Sequence, residues 1–288
     1  MELNDLNICL EPHATARSKA VAKTVFIPGS IILVAQPLTT VLLPIEKKHR
    51  CDLCHQRPPD DGRLLKCTGC ASHWYCDARC ANLAFCNTNT FPNVFFNLGQ
   101  GVAWRAHHGK ICASYFDFIA SPAYISLSAE EKMGSLLLSQ FSAEMLSSGP
   151  PLHQRSSLAI FESLMPSRSP PEQLPPMLVR LKSPNARKQL LDLYSRFGNN
   201  NFVLHSHLVS FGHGIYPLAS RLFNHSCVPN AAVCYSLTQG SPPSMRVIAL
   251  RKIAVDEEVC ELTDPGSREL ILYCSDLHPL SGPRTAPW

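Results

Sequence analysis

With 288 residues, 45% of them hydrophobic and 17% charged, the chain can bury a sizeable core, and global disorder is excluded. The net charge of +4 is mild, and basic residues sit among acids, as in Arg251-Lys252 ahead of Asp256-Glu257-Glu258; this is not the stripe of a direct nucleic-acid binder. The start, Met1-Glu2-Leu3-Asn4-Asp5, has no basic lead into an apolar stretch, and no apolar run could span a bilayer, which argues against export and membrane insertion.

The first segment reads as strands. Ala20-Val21-Ala22, Thr24 to Ile27, Ser30 to Ala35 and Thr39 to Leu43 are β-branched and aliphatic runs separated by turn residues such as Pro28-Gly29 and Pro37, which is a hairpin pattern.

A ladder of soft metal donors follows: Cys51-x2-Cys54, Cys67-x2-Cys70, Cys76-x3-Cys80 and His108-x3-Cys112. Each pair can place two donors on one ion across a tight turn, and two pairs close a tetrahedral site, so the ladder predicts two structural Zn2+ ions. In a cross-braced arrangement Cys51, Cys54, Cys76 and Cys80 share one ion and Cys67, Cys70, His108 and Cys112 the other; sequential pairing is also compatible with the spacing. Neither set leaves an open position for catalysis. The chain has 13 cysteines, and their clustering in pairs favours thiolates on zinc in a reducing compartment over a disulfide framework. His107 is a competing ligand beside His108. Cys86 is expected to be unbound, and Cys9, Cys234 and Cys260 to be small buried hydrophobes. Between Ala84 and Trp104 the ladder is interrupted by an uncharged stretch without period, read as a loop insertion or as unspliced sequence.

Ser128-x-x-Glu131 is a capping box ahead of Met133, Leu136, Leu137 and Phe141, so a helix is expected there. Pro- and Ser-rich breaks come at Gly149-Pro150-Pro151 and from Pro166 to Pro176. A second helix starts near Ser183-Pro184 and aligns Leu190, Leu193, Tyr194 and Phe197, with Gly198 suited to its C-terminal cap. From Asn199 short strands return: Asn201 to Leu204, Ala231 to Tyr235 and Met245 to Leu250. Strands on both sides of the ladder suggest one β domain split by it. A polar turn, Asn224-His225-Ser226-Cys227-Val228-Pro229-Asn230, lies between apolar flanks; taken bare it is a surface loop, but polar groups in that context need internal partners.

That turn resembles the signature of SET-domain protein lysine methyltransferases, and the ladder ending in Trp104-x3-His108-x3-Cys112 resembles a MYND finger. The chain is therefore similar to the SET and MYND domain family, from about Arg17 to Tyr273. Gly212-His213-Gly214-Ile215-Tyr216-Pro217, Asn200-Asn201-Phe202 and Asp256-Glu257-Glu258 add to the likeness. The resemblance implies an α+β fold, a SET-type β core split by a MYND zinc finger and a helical insert. Its parts would be residues 1–50 (N-terminal SET), 51–112 (finger), 113–198 (helical insert), 199–275 (C-terminal SET core) and 276–288 (tail). It implies S-adenosyl-L-methionine as cofactor, bound by Arg17, Ser18, Lys19, Asn200, Asn224, His225 and Tyr273. Tyr273 and Tyr216 would be catalytic aromatics, with Tyr216 and Phe211 also open to plain core packing. The partner implied is a protein presenting a lysine, histone or not, with proline-rich peptides a possible ligand of the finger. Nucleus and cytoplasm are the implied compartments.

The chain departs from the family at specific places. Arg17-Ser18-Lys19 replaces a Gly-x-Gly turn, the run Val259 to Pro265 lacks the channel tyrosine, and only Cys227 and Cys274 could serve a third zinc, which is not expected. The threaded C-terminal strand of the family would be shortened. A catalytically impaired SET/MYND protein acting as a zinc-dependent interaction module is the alternative.

Overall fold

Strand-forming runs in the first fifty residues find their partners elsewhere in the chain. In the computed structural model, which describes residues 6–13, 18–58, 62–77, 80–81, 107–148, 152–206 and 209–261, β1 (Ile8–Glu11) pairs antiparallel with β2 (Lys19–Ala22). β3 (Ile31–Ala35) and β4 (Thr39–Leu42) are consecutive, yet they enter two different sheets. The expected succession of hairpins is thus corrected. Thr24 to Ile27 is not a strand either: only Phe26 is buried, held by paired backbone bonds to Ile253, while Val25 and Ile27 face solvent.

β5 (Leu65–Lys66) and β6 (Trp74–Tyr75) form a small ribbon. Helices α1 (His107–Ile119), α2 (Pro122–Ile125), α3 (Ala129–Ser148), α4 (Leu152–Glu162), α5 (Pro184–Tyr194) and α6 (Phe197–Asn200) follow. The Ser128 capping box starts α3 as the sequence predicts: Glu131 N donates to Ser128 Oγ at 3.2 Å and Ser128 N to Glu131 Oε2 at 2.8 Å. α5 starts where expected, with the Ser183 hydroxyl accepting from Ala186 N and Leu190 and Leu193 buried. It ends at Tyr194 rather than at Gly198, which lies inside α6. Helix α4, beyond the Gly149-Pro150-Pro151 break, is not anticipated by the sequence reading.

β7 (Asn201–Ser206), β8 (Val209–Ile215), α7 (Pro217–Leu222), β9 (Asn224–His225), β10 (Ala231–Ser236), β11 (Ser244–Ala249) and β12 (Cys260–Glu261) complete the described elements. A three-stranded sheet runs β4-β8-β7 and a five-stranded one β3-β11-β10-β12-β9. Within the latter, β12 inserts parallel between β9 and β10. The Gly-His-Gly stretch proves to be strand: a Cβ on Gly212 would lie 2.5 Å from the Val41 carbonyl oxygen, so glycine here permits close approach of β4 and β8.

Two hydrophobic cores result. One, with Leu33, Leu204, Phe211, Tyr216 and Val247, lies among the sheets; the other joins the donor ladder and Tyr75 to Ile111, Phe141, Phe161 and Leu193 of the helices. No helix among the described residues is long and apolar enough to cross a membrane. The insertion between Ala84 and Trp104, with Cys86, lies outside the described residues.

Candidate functional site

The two donor sets assemble as the cross-braced reading expects. Cys51, Cys54, Cys76 and Cys80 form one group, Cys67, Cys70, His108 and Cys112 the other, with the ligand atoms of each within 4.8 Å of one another. Local backbone makes this possible. Each C-x2-C turn is followed by a residue in the left-handed region, His55 (φ 59°) and Ala71 (φ 53°), which folds the chain back over its sulfurs. A Cβ on Gly69 would stand 2.5 Å from Cys112 Sγ, so this turn tolerates no side chain there. His108 and Cys112 are one turn apart on α1 and share a face. Asp52 ties the two sites together: its backbone N donates to Trp74 O at 2.7 Å, and its carboxylate accepts from Trp74 N at 2.8 Å.

The donor set fits zinc. Four ligands at about 2.3 Å in a tetrahedron stand about 3.8 Å apart. Observed separations are 3.5 Å for Cys54–Cys76, 4.0 Å for Cys80–Cys54, 3.6 Å for Cys67–Cys112 and 3.3 Å for His108 Nε2–Cys67. The electrostatics agree. Hydrogen bonds from Cys54 and Cys80 draw Cys51 down to about 2, while burial and the Cys51 charge push Cys76 up to about 12. Four buried thiols this close cannot all ionise on their own, and a dication is what lets them do so together. Burial holds the His108 imidazole neutral, with its pKa down to about 3, as a nitrogen ligand must be. The described cysteines are free thiols. The side chain of His107 lies outside the described residues.

This metal-ligand module contacts the sheets. Gln56 donates to Leu237 O at 2.7 Å and Gln239 to the Asp77 carboxylate at 2.7 Å. The Arg50 guanidinium, paired with Glu46 at 2.8 Å, lies 4.4 Å from the Phe211 ring centre in β8.

A second constellation gathers around the 224–230 turn. Asn224 Nδ2 donates to the Ser18 carbonyl at 2.9 Å, from a residue 206 positions away, and to Glu258 Oε1 at 2.8 Å. Arg221 Nη1 donates to Ser18 Oγ at 2.6 Å. Asn230, 3% exposed, donates to Glu258 O at 2.8 Å and Glu257 Oε1 at 3.1 Å, and accepts from Cys260 N at 2.9 Å. Its amide thus substitutes for a strand neighbour and pins the segment entering β12. Arg221 is a site residue outside every motif the sequence offers; Asn230 closes the signature turn and Glu258 belongs to the Asp256-Glu257-Glu258 likeness, but the sequence assigns neither a partner.

The remaining candidates sit as follows. Lys19 opens β2 and pairs with Glu11 at 3.2 Å. His225 is exposed, its Nε2 3.6 Å from Cys227 Sγ. Asn200 is buried in α6, donating to Arg196 O at 2.7 Å. Tyr216 and Phe211 are fully buried in the sheet core; the Tyr216 hydroxyl donates to Pro243 O at 2.9 Å, and its ring meets Phe202 and Tyr235 at 5.9 and 5.8 Å. Arg17, Tyr273 and Cys274 lie outside the described residues, as does the run from Leu262 to Pro265.

Compared with known protein families, residues 19–260 match the SET domain. The match covers most of the chain, so the chain belongs to the SET domain family, a family of protein lysine methyltransferases. No curated protein matches it.

Proposed function

We propose that the chain is an S-adenosyl-L-methionine-dependent protein lysine N-methyltransferase carrying two structural zinc ions in a MYND-type finger. The observation that carries this reading is the Asn224–Ser18 hydrogen bond, which joins the start of β2 to the signature turn. Two segments remote in sequence are thereby brought to one place, where the family likeness puts the cofactor. Bound there, the cofactor supplies an electrophilic methyl group on sulfur. The chain's own work is positional: a lysine amine must arrive deprotonated and in line. In this reading Ser18, Lys19, Asn200, Asn224 and His225 hold the nucleoside, with Arg17 and Tyr273 assigned by likeness alone. Tyr216, whose hydroxyl is committed to Pro243 O, serves as wall and support rather than as a proton-transfer group.

Histone and non-histone lysines are the substrate class, proline-rich peptides a second ligand of the finger, and a reducing compartment, nucleus or cytoplasm, suits zinc-bound thiolates. One observation favours the impaired alternative: buried Glu261 lies in the strand that runs into the segment lacking the channel tyrosine. Calorimetric titration of zinc-loaded protein with S-adenosylhomocysteine, then a methyl-donor assay on histones and mixed proteins, separates the readings. Binding with methylation supports the enzyme; binding without methylation supports the interaction module. Absence of heat at millimolar ligand overturns the cofactor site.

A further inference from the structure

We propose, resting on that cofactor reading, that Glu258 and Arg221 are positioning residues that orient the Asn224 amide and the Ser18 turn toward the amino-acid end of a sulfur nucleoside. The argument begins with the hydrogens of one amide. Asn224 Nδ2 carries two, and both are spent: one on the Ser18 carbonyl at 2.9 Å, one on Glu258 Oε1 at 2.8 Å. Both partners are acceptors only. Rotating the amide by half a turn would set its oxygen against a carbonyl oxygen and a carboxylate oxygen at once. The orientation is therefore determined, and Oδ1 is the atom Asn224 has left to offer.

An acceptor oxygen held in this way selects a donor. On a nucleoside carrying a methionine-like arm, the cationic donor is the arm's ammonium group; a nucleoside without that arm keeps only neutral hydroxyl and amine donors, which belong to its ribose and base.

Glu258 can do this because its own backbone is fixed from two sides. Asn230 Nδ2 donates to Glu258 O at 2.8 Å. On the opposite side Val259 N donates to Ala20 O at 2.8 Å and Ala22 N to Glu257 O at 3.0 Å, which lashes the segment to β2. Arg221 completes the frame from α7: its guanidinium holds Ser18 Oγ at 2.6 Å, so the turn whose carbonyl receives Asn224 is gripped at its side chain as well. A guanidinium and one side-chain amide thus converge on Ser18, in the turn before β2, and the Glu258 carboxylate holds that amide from behind.

The test uses zinc-loaded full-length protein and two probes, S-adenosylhomocysteine and 5′-methylthioadenosine, which share the nucleoside and differ by the amino-acid arm. Loss of one charge-assisted contact corresponds to about a tenfold change in affinity. E258A is expected to weaken S-adenosylhomocysteine about tenfold and 5′-methylthioadenosine less than about twofold. E258Q, whose side-chain oxygen still accepts from Nδ2, is expected to restore the wild-type ratio. E258D withdraws the carboxylate by one methylene and gives the same selective loss if E258A does not fold, and R221L is expected to follow E258A. Equal weakening of both probes, or none, overturns the positioning role while leaving the cofactor site standing. Wild-type protein that binds neither probe overturns the cofactor reading and this inference with it.

Discussion

Glu261 offers a quantitative check on the core of this protein. Its backbone is locked in β12, between β9 and β10, with Ser226 N donating to its carbonyl at 3.0 Å. Its side chain is 1% exposed, and Oε2 has no hydrogen-bond partner among the described residues. Burial alone raises its pKa from 4.5 to about 8. The sign follows from the direction. The folded state holds the proton over a range where the unfolded chain has released it, so stability is full below about pH 4.5 and falls as pH rises toward about 8. At about 1.4 kcal/mol per pH unit, that span amounts to about 5 kcal/mol. E261Q removes the titration and keeps the shape. Its buried amide carries its own desolvation cost, but that cost does not depend on pH. The measurable quantity is therefore the slope of the stability difference, E261Q minus wild type, from urea denaturation of zinc-loaded protein. The difference should grow by about 1.4 kcal/mol per unit from about pH 6 and level off above about pH 8. Protonation of the zinc thiolates affects both proteins alike and cancels. A difference flat with pH would refute the reasoning, because it would mean that Glu261 is solvated or paired in the folded protein.

Other perturbations address the metal sites and the scaffold. Zinc released by a thiol reagent and read with a chromogenic chelator should amount to two ions per chain, and chelation should abolish the cooperative unfolding of the metal-ligand module, since binding of each ion contributes about 10–16 kcal/mol. Gly69→Ala, whose new methyl meets Cys112 Sγ at 2.5 Å, should lower the stoichiometry from two to one by emptying the Cys67 site alone; retention of both ions would contradict the packing of that turn. Ser128→Ala should cost about 1 kcal/mol in urea denaturation by uncapping α3, and no change would mean that the helix start is held by other contacts. Tyr216→Phe removes the hydroxyl that donates to Pro243 O and should cost about 1–3 kcal/mol, while leaving S-adenosylhomocysteine affinity within about twofold; a selective loss of affinity would return Tyr216 to the reacting centre.

What the sequence discloses here depends on how far apart the interacting partners lie. The donor ladder is legible because each pair of ligands is a local turn; which pairs share an ion is not, since sequential pairing suits the spacing as well and only the fold brings alternate pairs together. The capping box at Ser128 and the helix start at Ser183 are legible for the same reason: donor and acceptor are three residues apart. Strand partners are not legible in this way. β3 and β4 look like neighbours in one hairpin meander, but the residues that complete them, in β11 and β8, come from the far end of the chain. β8 is not among the strands expected from the sequence, because Gly212 and Gly214 interrupt the strand pattern; the approach of Val41 and Thr40 explains why no side chain fits there.

The 224–230 turn shows the same division within a single motif. That its polar groups require internal partners is evident from the apolar flanks. Which partners is not, because Ser18, Glu257 and Glu258 are supplied by segments with no local signal of contact. The consequence bears on how the departure at Arg17-Ser18-Lys19 should be weighed. A sequence comparison counts the lost glycines as damage. The structure, however, gives the Ser18 hydroxyl a partner in Arg221 and its carbonyl a partner in Asn224, so the side chain at this turn is built into the network rather than crowded by it. Ser18→Gly should then loosen this network instead of repairing it, since the hydroxyl that anchors Arg221 is lost and the turn gains backbone freedom.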